Sequence, residues 1–139
     1  MLSNKSVFEW PITVYLDETD AGGIVHNSNY LKYFERARTE MLRSKGILQR
    51  DLMSQNIALV ISRMELDYIQ AISLDEQLTV LTSIAELKRA TMTFCQEIVN
   101  DGQVTLCKVM VKVACINTET MKPKAFPRTL HQEISSSDI

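Results

Sequence analysis

The run Asp17-Glu18-Thr19-Asp20-Ala21-Gly22-Gly23 sets three carboxylates within four positions, just ahead of two glycines. Ile24-Val25-His26-Asn27-Ser28-Asn29-Tyr30 follows, with three residues in succession suited to opening a helix. An exposed carboxylate has an ordinary pKa near ~4 and is ionised at neutral pH. In that state it serves as a base or a nucleophile without further activation. Gly22 and Gly23 allow a ligand to approach the backbone closely. The free N–H groups of a first helical turn point back at such a loop and favour a developing negative oxygen. A carboxylate and an oxyanion site on either side of a carbonyl suit acyl transfer. The competing reading is plain: acids before a helix often cap or solvate the loop, and local chemistry by itself favours that.

The flanking elements must position these groups. Ser6 to Leu16 reads as a first strand, with Val7, Trp10, Ile12, Val14 and Leu16 supplying its apolar residues. Pro11 within it predicts an edge or a bulge. After the loop, Tyr30, Phe34, Ala37 and Met41 recur at helical spacing, joined by Leu31, Tyr33 and Leu42. This predicts a long helix from about Ser28 to Lys45, stopped by Gly46, with Arg36 and Glu40 placed to pair on its surface. A shorter helical piece is expected from Gln49 to Ser54.

Four strand-like runs follow: Ile57 to Ile69, Gln77 to Leu87, Ala90 to Asn100, and Val104 to Asn117. In the last, Val109, Val111 and Val113 face one way, and Lys108 and Lys112 the other. Lys88-Arg89 and Asn100-Asp101-Gly102 read as hairpin turns. Short turns predict that these four strands form an antiparallel meander, with the helix burying its stripe against the sheet. The fold class is therefore α+β. A single domain spanning residues 1–139 is expected, with its core at about 6–128 and a frayed end from Ser135 to Ile139.

The chain has 139 residues, 45% hydrophobic and 23% charged, and a net charge of −2, which is ordinary globular composition without general attraction to nucleic acid. Any polyanionic ligand must then meet a local basic patch. Cys95, Cys107 and Cys115 lack metal-type spacing, and all three are expected as buried free thiols in a reducing compartment. No apolar run reaches membrane-spanning length and no secretory core opens the chain, so the cytoplasm is expected. Ser62, Ser73 and the cysteines lack a neighbouring histidine motif, which argues against a nucleophile triad, and no ligand cluster suggests a metal.

The stretch Asp17-x-Thr19-Asp20-Ala21-Gly22-Gly23-Ile24-Val25, then Asn29-Tyr30-Leu31-x-Tyr33-Phe34-Glu35-Arg36-Ala37-Arg38-Thr39-Glu40-Met41-Leu42, resembles the hotdog-fold thioesterases of the 4-hydroxybenzoyl-CoA thioesterase family. It looks closest to the Tol-Pal-associated, YbgC-type acyl-CoA thioesterases. Met121-Lys122-Pro123-Lys124-Ala125-x-Pro127 matches as well, as do Asp67-Tyr68 and Leu74-Asp75-x-x-Leu78. The resemblance implies five antiparallel strands wrapped around one central helix. It also implies hydrolysis of an acyl-CoA thioester to a free acid and coenzyme A. No cofactor is implied, since coenzyme A is part of the substrate.

By resemblance, Asp20 is the catalytic acid, as nucleophile or as general base, and Gly23 is the motif glycine. The backbone N–H near Asn27 polarises the carbonyl. Asp17 is the runner-up acid, read as capping or orienting the loop. A homodimer with the sheet continued across subunits, or a homotetramer, is implied, with the site at the interface.

Two departures stand out. His26-Asn27 replaces the usual Tyr-His pair, so His26 is either a catalytic group or a loop histidine bonding the backbone, and Asn27 is either oxyanion contact or helix cap. Ala71-Ile72-Ser73 replaces a Pro-Ala-Arg segment, removing a rigid residue and a cation. Lys122, Lys124 and Arg128 are the candidate contacts to coenzyme A phosphates, against the reading of a solvated basic tail. Two other functions compete: an acyl-thioester dehydratase or hydratase using His26, and a non-catalytic acyl-CoA-binding or scaffold protein.

Overall fold

The structure, a computed structural model, describes residues 6–136. Strand β1 (Phe8–Ile12) leads through a 3-10 turn at Leu16–Glu18 to helix α1 (Ser28–Ser44) and the short helix α2 (Gln49–Ser54). Strands β2 (Ile57–Tyr68), β3 (Leu78–Leu87), β4 (Thr91–Asn100) and β5 (Thr105–Asn117) follow, and helix α3 (Arg128–Ser136) ends the described chain. The expected frayed end from Ser135 meets this last helix, and residues 137–139 lie outside the described residues. Leu130 and Ile134 of α3 are buried, so packing continues beyond residue 128.

The period-2 pattern places Leu78, Val80 and Ile84, then Met92, Phe94 and Ile98, then Val109, Val111 and Val113 on one buried face. Helix α1 covers that face with Tyr33, Phe34, Ala37, Met41 and Leu42. Gly46 stops the helix at φ +79°, with the Ile47 N–H returning to the Leu42 carbonyl.

All five strands pair antiparallel in one sheet of order β1-β3-β4-β5-β2. The expected four-strand meander is therefore corrected. Only β3, β4 and β5 form one, and β2 lies on the far side of β5 while β1 takes the place beside β3. The reason is the link between β2 and β3. It is no tight turn, because Ile72 is buried there and bonds the segment before α1 through the Val25 N–H. Both β1 and β2 are edges, which suits Pro11 in β1.

Two smaller expectations are also corrected. Arg36 reaches Glu18 at 3.8 Å, not Glu40, which pairs with Arg43 at 3.4 Å because the i,i+3 partner lies on the same turn. Cys107 and Cys115 are buried, but Cys95 is exposed, since its position in β4 points away from α1.

Candidate active site

Asp20 sits at the head of a tight loop. Its N–H donates to the Ile24 carbonyl at 2.8 Å, and its carbonyl accepts from Gly23 N–H at 3.0 Å. Its Oδ1 accepts from the N–H groups of Gly22 (2.9 Å) and Ile24 (3.1 Å). One carboxylate oxygen is thus fixed by the loop, and the side chain is exposed. Gly23 is required here because its φ of +77° lies in the left-handed region. Its N–H is already bonded to Asp20, so it is not a spare oxyanion donor, while Leu74 N–H closes on its carbonyl at 2.8 Å.

The loop leads straight to the start of α1. Asn27 is the N-cap residue, yet its side chain makes no capping bond. The capping falls to His26, whose Nδ1 accepts from Ser28 N–H at 3.2 Å and lies 2.8 Å from Ser28 Oγ. Among the described residues, no acceptor is bonded to the Asn27 N–H. A free donor at the positive end of a helix thus stands a few residues from Asp20. The ring of Tyr68 closes this side, with Oη 3.5 Å from the Asn27 carbonyl and its edge against Tyr30.

Asp17 does not orient the loop. It is exposed, and its carboxylate makes no hydrogen bond or ion pair among the described residues. Glu18, beside it, does that work. Only 9% exposed, it accepts at Oε1 from Tyr33 Oη (2.8 Å) and Tyr15 N–H (2.9 Å). Its carbonyl accepts from His26 N–H and from Asn29 Nδ2, each at 3.0 Å. The loop is therefore fastened to α1 on both sides of Asp20. Burial and the carboxylate at Glu18 hold the Tyr33 hydroxyl well above its ordinary pKa, so it remains a donor. Sequence reasoning passed over Glu18. The signal was its place three residues after Tyr15 and fifteen before Tyr33, which only the fold brings together.

Lys122, Lys124 and Arg128 are exposed, as a phosphate contact requires. Within one chain they are not beside Asp20. The Lys124 N–H bonds the Cys115 carbonyl at one end of β5, whereas Tyr68, at the Asp20 end, pairs with Cys107 at the other. The stretch from Cys107 to Cys115 spans about 27 Å at ~3.4 Å per residue.

The family model of the Thioesterase-like superfamily matches residues 14–134. The acyl-CoA thioester hydrolase YbgC of Escherichia coli O6:H1 is 38% identical over 130 residues, covering 94% of this chain and 97% of that one. The acyl-CoA thioesterase YbgC of Haemophilus influenzae is 43% identical over 129 residues, covering 92% of this chain and 93% of that one. The Staphylococcus aureus hypothetical protein SAV2348, solved in complex with CoA, shares the fold with a TM-score of 0.90 at 19% identity, over 96% of this chain and 85% of that one. With a sheet wrapped on one long helix and a match along nearly its whole length, this chain belongs to the thioesterase-like, hotdog-fold superfamily.

Proposed function

We propose that the protein hydrolyses acyl-CoA thioesters, with Asp20 as nucleophile or general base and the Asn27 N–H polarising the carbonyl. One observation carries the reading: a carboxylate fixed through a single oxygen lies a few residues from an unbonded N–H at a helix start. The thioester oxygen gains negative charge as the carbonyl is attacked, and the Asn27 donor meets it. As base, Asp20 takes a proton from water, the oxygen adds to the carbonyl, and the carbon–sulfur bond breaks. The proton then passes to the coenzyme A sulfur. As nucleophile, Asp20 first displaces that sulfur, forming an anhydride that water opens.

The loop supplies its own control for the test. Asn100 repeats the geometry of Asp20: its Oδ1 accepts from Gly102 and Val104 N–H, each at 3.0 Å, and Gln103 N–H returns to its carbonyl. An asparagine thus holds this kind of loop, so Asp20→Asn removes the charge and leaves the backbone intact. Loss of at least 100-fold in kcat with unchanged folding is expected; a wild-type rate refutes the role. Single-turnover hydrolysis in 18O-labelled water tests the nucleophile route, since label enters Asp20 only when water opens an anhydride at the Asp20 carbonyl.

We also infer a homodimer through the open edge of β2. The strand is exposed along Val60–Arg63, and its outer edge has no partner among the described residues. Antiparallel pairing of two β2 strands sets the Tyr68 end of one copy beside the Ile57 end of the other. That brings the partner's basic segment toward Asp20 and removes the separation seen within one chain. Mixing Asp20→Asn protein with a Lys122→Glu/Lys124→Glu variant then restores activity that neither shows alone; no recovery refutes the shared site. Cytoplasmic residence fits the two buried free thiols. The dehydratase reading lacks support because His26 Nδ1 is engaged in capping α1.

A further inference from the structure

Arg38 is a buried cation that forms no ion pair among the described residues. It lies on the sheet-facing side of α1 and is only 8% exposed. Its Nη1 donates to Gln96 Oε1 at 3.0 Å, and its guanidinium lies 6.0 Å from the centre of the Phe94 ring. No carboxylate stands within ion-pair distance of it among the described residues. Gln96 itself is committed elsewhere, donating to the Phe34 carbonyl and to Thr82 Oγ1. Burying a guanidinium is costly: burial pulls the Arg38 pKa below its ordinary value, and the charge of Glu35, one turn earlier, offsets that only in part.

Arg38 also lines a cavity. The space holds about 310 Å³ between α1 and the start of β2, walled by Glu35, Leu59, Ile61, Phe94 and Val113. Among the described residues, no buried side-chain nitrogen lacks a partner. Gln96 takes only one of the five N–H groups, so the rest of the guanidinium fork reaches accessible space. The cavity is at the small end of ligand sites and suits one end of a molecule. Its walls are apolar apart from Arg38 and rim groups such as the solvent-exposed Glu35.

Resting on the thioesterase reading above, we propose that this cavity receives the far end of the acyl group and that Arg38 selects acyl chains ending in a carboxylate. The apolar walls take the methylene chain, and the guanidinium fork takes the terminal carboxylate in two parallel hydrogen bonds. Helix α1 joins this cavity to the proposed chemistry, with Ser28 and Arg38 about 15 Å apart along its axis. Val60 and Ile61 line the mouth, and in the dimer inferred above the second copy would border it there. Glu35 opposes the incoming charge from the rim, where water screens it.

The test compares matched thioesters on the whole protein: octanoyl-CoA against octanedioyl-CoA, and decanoyl-CoA against decanedioyl-CoA. The wild type is expected to favour the carboxylated member in kcat/KM by at least tenfold. Arg38→Met removes that ratio, Arg38→Lys keeps part of it, and Glu35→Gln raises it. Preference of the wild type for methyl-terminated chains, or an equal loss on both series in Arg38→Met, overturns the proposal. If no thioester is hydrolysed, the reading of function fails, and calorimetry with free octanedioate then decides the subsite. Binding lost in folded Arg38→Met and weakened in Arg38→Lys upholds the subsite, and absent or unaltered binding overturns it.

Discussion

Removal of the Glu18 carboxylate gives a direct measure of what holds the Asp20 loop in place. Glu18→Ala strips the acceptor from Tyr33 Oη, whose residue is only 1% exposed. A buried hydroxyl left unpaired costs about 1–3 kcal/mol. The Tyr15 N–H loses the same acceptor but lies nearer to water, adding about 0.5–1.5 kcal/mol. The Arg36 contact adds little, about 0–1 kcal/mol, because that guanidinium is largely solvated at 3.8 Å. Together these come to about 1.5–5.5 kcal/mol. Tyr33→Phe removes only the donor and should cost about 1 kcal/mol. Once Phe stands at 33, Glu18→Ala no longer orphans a hydroxyl, so the double variant is milder than the sum by about 1–2 kcal/mol. Urea unfolding of the four proteins measures this coupling. Glu18→Gln, which keeps an acceptor, should recover more than half of the loss. The kinetic counterpart is a fall in kcat of about tenfold or more in Glu18→Ala, as Asp20 and Asn27 lose their common anchor. Additivity within about 0.5 kcal/mol, the behaviour of independent sites, would refute the reasoning.

Gly23→Ala forces a side chain into φ +77° and should cost about 1–2 kcal/mol together with most of the hydrolytic rate, read by thermal unfolding and initial rates. Asp17→Asn should change stability and rate within about 0.5 kcal/mol, as fits an exposed carboxylate without a partner. Alkaline pH should weaken the fold in a definite window. Burial pushes the Cys107 thiol from 9.0 up to about 12, with the Asp67 charge adding to the shift. The unfolded chain therefore gives up this proton above about pH 9 while the folded chain keeps it. Stability from this group is full below that pH and is lost as pH rises toward 12. Urea midpoints at pH 8, 9.5 and 10.5 should fall in the wild type and fall less in Cys107→Ala. Gln96→Leu leaves the Arg38 donor and the Thr82 hydroxyl without their partner beneath α1, and should cost about 3 kcal/mol or more by the same assay.

Much of this protein was legible in its residues because the signals were local. Helical spacing from Tyr30 to Met41 marked α1, and its extent matches Ser28–Ser44 closely. Alternation in β3, β4 and β5 named the buried face, since successive strand side chains point to opposite sides. Asp20, the glycines and the helix start were likewise neighbours in sequence, so their loop was visible before any fold was known. What alternation cannot carry is which strand lies beside which, and β2 settled next to β5 because the Ile72 segment had to bury against the Asp20 loop. The same limit applies to charge. Asp17 and Glu18 are adjacent carboxylates of equal promise in the sequence. Only packing decided that one meets water and the other meets Tyr33. Arg38 reads as one cation among several on α1 until the sheet closes over it. That it forms no ion pair is a fact of three dimensions, because a charge is satisfied by whatever the fold brings near it.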